Sequence, residues 1–234
     1  MKDETVRACG LGAVVLAAAS VVLAPLNALA RMQTESGRSD LENELAAWWA
    51  EPALRTFGSP LLDFADADTV YLTYGKFYAF AMVAVLACVF AARSRRPSPM
   101  RWTERWGWRL TIAGFTLTLV GMVCFYWFLV GDWAYGVTLL GLLVGIPGNI
   151  LLGIGLLRGG FRPRFAAWVI LLDLPLSLAL VEVSTMALSM WPMMLAWGVI
   201  GWSLRGTGRT QAEPTAPGTT VRRARAGSDR SAGR

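Results

Sequence analysis

Apolar residues fall along this 234-residue chain in long blocks, not at the spacing of a half-buried helix or strand. Blocks near 9–29, 71–92, 109–130 and 135–157 are almost free of charge, and from 165 to 204 the apolar character hardly breaks. About 20 residues of helix cross the roughly 30 Å hydrocarbon core, so each of the first four blocks predicts one membrane span. A single helix over the last block would reach about 60 Å, twice that thickness. Arg158, Arg162 and Arg164 precede this block and Arg205 closes it. If arginine-rich turns share one side, an even number of crossings lies between them. The block therefore divides into spans near 165–184 and 187–204, with a minimal turn around Thr185. The expected fold class is all-α, a polytopic transmembrane helical bundle of six spans.

The first block leaves an alternative open. Ala28-Leu29-Ala30, with Pro25 before it, has the small-x-small form of a signal-peptidase site. The length of the block, and Asp3 and Glu4 ahead of it, favour a retained anchor. Cleavage would leave five spans.

Between the first two spans lies an expected extracytoplasmic loop, 31–70. There Ser39-x-x-Glu42 has the form of a capping box opening a helix through Leu41, Leu45, Trp48 and Trp49. Pro52 and Gly58-Ser59-Pro60 are expected to break it, and Asp68 to cap the second span. Asp63, Asp66 and Asp68 lack the alternate ligands, glycine and distal glutamate of a calcium loop. Trp48-Trp49 suits docking on the membrane surface or on helix ends. Tyr71, Tyr74 and Tyr78 open the second span as an aromatic belt, where Lys76 can snorkel to the interface.

Charge adds orientation. The net charge of +6 comes almost wholly from arginine, concentrated in 93–109 and in 205–234. In 93–109, Trp102, Trp106 and Trp108 alternate with arginines around the lone acid Glu104, as in a segment lying on anionic lipid. The tail, 205–234, is rich in Gly, Pro, Ser and Thr and reads as disordered and cytoplasmic. The expected partners are the bilayer, anionic lipids at Arg93–Arg109 and at the tail, and a membrane protein or a second copy. No nucleic acid is expected.

The chain contains no histidine, which removes the commonest general base and metal ligand. Cys9, Cys88 and Cys124 all lie in apolar segments and read as small core residues. Met186, Met190, Met193 and Met194 could suggest copper, but their spacing suits packing equally. No catalytic constellation, cofactor or metal site is expected.

The chemistry that stands out is polar and at membrane depth. Asp173 lies nine residues after Arg164 and Asn149 nine before Arg158, which places both about 13 Å in from that turn. Gly141, Gly145, Gly148 and Asn149 share one helix face, and Asp173, Ser177 and Ser184 share another. A glycine-lined face lets helices approach closely, so Asn149 and Asp173 are expected level with each other across such a seam. Pro147 and Pro175 each free a carbonyl near the same depth. Asp173, Asn149 and Ser177 are the candidate intramembrane site, either proton- or cation-linked or a hydrogen-bonding brace. Near the other surface, Lys76 and Glu182 are expected to form an interfacial ion pair.

The segment Leu156-Leu-Arg-Gly-Gly-Phe-Arg-Pro-Arg-Phe-Ala-Ala-Trp168 resembles a turn of uncharacterised bacterial multispan families. The arginine-rich, histidine-free composition is similar to that of high-GC actinobacterial membrane proteins. That resemblance implies a multispan protein of the bacterial cytoplasmic membrane and no particular activity. The expected function is a non-catalytic accessory or interaction component. The alternative is a small secondary transporter or ion-coupled carrier using Asp173 and Asn149.

Overall fold

The computed structural model describes residues 1–96, 100–184 and 188–206, whose regular structure is entirely helical. Helix α1 spans Asp3–Gln33, α2 Glu44–Leu62, α3 Ala67–Ser94 and α4 Trp102–Tyr126. Helix α5 spans Gly131–Arg158, α6 Arg164–Leu171, α7 Asp173–Val183 and α8 Trp191–Gly206. Among the described residues, α1, α3, α4 and α5 are each long and apolar enough to cross a membrane. Helices α6 and α7 pass that test only together, across a 69° bend. Helix α8 has 16 residues, about 24 Å of helix. The six expected spans thus become four full-length helices, one bent pair and one shorter helix. The expected turn at Thr185, Met186 and the tail from 207 lie outside the described residues.

The bent pair replaces a continuous fifth span, and Pro175 is the cause. Proline has no N–H for the Leu171 carbonyl four residues back, and its ring crowds that carbonyl. Leu172 absorbs the break: its N–H still donates to Trp168 O at 2.9 Å, and its own carbonyl accepts from Leu176 N at 3.0 Å. Asp173 consequently opens α7 instead of lying within one long helix.

Helices α4 and α5 form an antiparallel hairpin along a seam of small residues. Gly107, Thr111, Gly114, Thr118 and Gly121 recur at the alternating spacing of four and three that keeps one helix face on its partner. They meet Thr138, Gly141, Gly145 and Gly148 of α5. A Cβ on Gly148 would sit 2.5 Å from Thr111 N, and one on Gly107 2.5 Å from Leu152 N. The glycine face of α5 is therefore spent on α4, not on the segment carrying Asp173 as expected. On the other side of the bundle, Gly10, Ala13 and Ala17 of α1 approach Gly198 and Gly201 of α8. Trp197 of α8 closes the centre against Trp108, ring centroids 6.2 Å apart, and Phe115, 6.5 Å apart.

The helix ends collect at two poles. At one, Asp3 pairs with Arg95, Arg96 pairs with Glu104, and the Arg96 guanidinium lies 5.7 Å from the Phe161 ring centroid. At the other, Asn43 Nδ2 donates to Glu182 O at 2.7 Å and Trp49 Nε1 donates to Val183 O at 2.8 Å. Arginine-bearing turns thus gather at the first pole and residues 31–66 at the second.

Several local expectations change. Ser39-x-x-Glu42 falls in a 3₁₀ turn, Arg38–Glu42, and Asn43 caps α2 by accepting from Leu45 N at 3.0 Å. Helix α2 runs through Pro52 and Pro60 because Ala46, Ala50 and Leu62 are buried on Leu29 and Met32 of α1, and packing outweighs the lost bonds. Asp66, not Asp68, caps α3, accepting from Thr69 N at 3.0 Å. That bond holds the Asp66 carboxyl below its ordinary range. Trp108 is buried in the core, whereas Trp102 and Trp106 stay at the surface.

Candidate functional site

Three helices bring the expected polar residues together. Asn149 of α5 accepts from Thr111 Oγ1 of α4 at 2.9 Å and donates through Nδ2 to Asp173 Oδ2 at 2.9 Å. Ser177 Oγ, one turn along α7, lies 3.4 Å from Asp173 Oδ1 and 2.9 Å from Ser189 O. Asn149 is 1% exposed and Asp173 9%, so the network lies inside the protein. Asn149 reaches both neighbours because it follows Gly148: the glycine presses α5 onto α4 and the asparagine projects toward the α6–α7 break. Ser184 is buried but separate, its Oγ without a hydrogen-bond partner among the described residues.

Asp173 lines a cavity of about 150 Å³, where it is the one ionisable residue among the described residues of the wall. Phe115, Ile146, Leu174 and Met193 supply much of its apolar surface. A second cavity, of about 420 Å³, lies toward the pole of residues 31–66. Leu142, Ser189 and Met190 line both spaces, forming the partition between them. The two carboxylate oxygens are the acceptors here, since Asn149 turns its amide N–H toward Asp173 and its amide oxygen toward Thr111, so the arrangement can hold a proton.

The expected Lys76–Glu182 ion pair is not formed. Lys76 Nζ lies over the Trp127 ring, 5.3 Å from its centroid, and Glu182 contributes its main-chain carbonyl to Asn43. The neighbouring aromatic face and the α2–α7 contact occupy the two residues separately. Of the methionines, Met193 and Met194 are buried in the core and Met190 lines both cavities.

One buried polar cluster escaped the sequence reading. Arg96 Nε donates to Glu104 Oε1 at 2.7 Å and Arg96 Nη2 to Glu104 Oε2 at 3.2 Å. Trp108 Nε1 adds a bond to Oε1 at 3.3 Å, and the two charged side chains are only 13% and 6% exposed. Gly155 and Gly159 leave the room: a Cβ on Gly155 would lie 2.8 Å from Glu104 Cβ, and one on Gly159 2.5 Å from Arg96 Nη2. The available signal was Glu104, a single acid among six arginines with a tryptophan one turn later. Its bidentate geometry ties the end of α3, α4 and the α5–α6 turn together.

Comparison with protein-family models, curated proteins and solved structures finds no match.

Proposed function

We propose that the protein is a small ion-coupled membrane carrier in which Asp173 takes up and releases a proton. The observation that supports this reading is the position of Asp173: buried, at the break between α6 and α7, and facing a cavity. Broken helices at membrane depth are where transporters hold ions and substrates, because the freed main chain lines a space instead of lipid. Ser177 supplies the coupling. With the Asp173 carboxyl protonated, its proton goes to Ser177 Oγ and the Ser177 proton goes to Ser189 O. With the carboxylate ionised, the single Ser177 proton turns to Asp173 and the Ser177 bond to Ser189 O is given up. Charge on Asp173 is thereby read out at the partition between the two cavities. In this reading six crossings, the bent pair and α8 included, place the arginine-rich pole in the cytoplasm of a bacterium, on anionic lipid.

A second reading, a non-catalytic accessory component, is supported by α2, which exposes Leu45, Trp48 and Phe57 beside the second pole. Solute-dependent proton movement in proteoliposomes, tested with organic cations, anions and zwitterions, separates the two. The carrier reading expects movement in the wild-type protein and none in Asp173→Asn. Background flux in both proteins, across all solutes, would remove the carrier and leave the accessory role.

A further inference from the structure

The larger cavity carries a statement about substrate class, one that rests on the carrier reading. Its wall holds five aromatic rings, Tyr71, Tyr78, Phe125, Tyr126 and Tyr135, with Asp132 among them. Tyr71 packs edge-on against Phe125 and Tyr126, centroids 6.4 Å and 5.9 Å apart, and its hydroxyl lies 3.4 Å from that of Tyr126. Tyr71, Phe125 and Tyr126 thus brace one another. Arg31, the one base among the described residues of this wall, is matched by Asp40, its Nε donating to Oδ2 at 2.9 Å. Among the described residues Asp132 has no ion-pair partner, so the wall is left with one unmatched negative charge.

We infer that this cavity binds an organic monocation with apolar substituents, such as a substituted ammonium, its charge facing the rings and Asp132. The faces of aromatic rings attract cations that shed water easily, and their apolar area takes the substituents. A volume of about 420 Å³ falls within the range of small-molecule sites. An anion meets Asp132 and the negative ring faces, with Arg31 already engaged. Beyond the partition the second carboxyl, Asp173, continues the same preference inward, so exchange of the cation against a proton needs no further charged group.

The test is equilibrium dialysis of the full chain in detergent micelles, with empty micelles subtracted. Benzyltrimethylammonium is the probe and benzylsulfonate its anionic counterpart. Saturable binding of the cation and none of the sulfonate is expected. Asp132→Asn and Tyr135→Leu, both at exposed positions, should each weaken cation binding roughly threefold or more, and Asp132→Asn should leave the melting temperature unchanged. Equal uptake of cation and anion, or variants that bind as the wild type does, would overturn the assignment. Saturable cation binding by a protein that moves no protons supports this site and removes the carrier reading alone.

Discussion

Removing the Glu104 carboxylate is the sharpest test of how the arginine-bearing pole is held together. Glu104→Ala leaves the Arg96 guanidinium in a site where the pair is 13% and 6% exposed, beside Gly159 and the Phe161 ring. It also removes the Trp108 indole's acceptor. Breaking one side of a buried ion pair costs about 3–5 kcal/mol, because the stranded charge keeps its desolvation cost. For a chain of this length each kcal/mol shifts the melting temperature by about 2–4 °C, so a fall of about 6–20 °C is expected. Tryptophan fluorescence during heating in detergent micelles reads it. The double variant Arg96→Met/Glu104→Leu, which removes both charges and keeps the volume, should recover most of the loss. A fall below about 2 °C for Glu104→Ala, or a double variant as damaged as the single one, would show that the pair does not hold the pole.

Two further outcomes follow from the fold. Gly148→Ala forces a Cβ to within 2.5 Å of the Thr111 main chain, so α4 and α5 must part; a loss of about 1–3 kcal/mol is expected in detergent-titration unfolding. Wild-type stability in that variant would mean that the seam is looser than drawn. The Asp66 cap should make stability pH-dependent at the acidic end. Its folded-state value lies below the ordinary 3.8, so its contribution is present above that pH and is lost as pH falls through the lowered value. Asp66→Asn keeps the cap and should flatten the dependence, measured as melting temperature against pH; an unchanged slope would assign it to other carboxylates.

The parts of the structure that follow one-dimensional rules were legible in the sequence. Four apolar blocks became α1, α3, α4 and α5, since span length is fixed by hydropathy and helical rise. Asn149 and Asp173 meet because equal offsets from a common turn give equal depth, whichever face each helix presents. The choice of partner was not legible. The glycines of α5 mark a face for close approach but not which helix takes it, and α4 takes it through threonines and glycines of matching spacing. Pro175 was visible as a lost hydrogen bond, yet counting apolar residues cannot say whether a helix bends or ends there. Arg96 follows the end of α3 and Glu104 lies in α4, on either side of residues 97–99, and a tally of positive charge averages over a pair that only geometry forms.

The unequal anchoring of the helices has a mechanical meaning. Where α4 and α5 interlock, backbone lies against backbone, and sliding one past the other would force main chain over main chain. In α7, Asp173 is the one buried residue, while Pro175, Ala179 and Val183 are exposed away from the cavity. Within a bilayer, acyl chains would press on that outer face. The lateral pressure of the lipid would then act with the carboxyl as the opposing spring, and membrane thickness and composition would set the resting angle of the α6–α7 elbow.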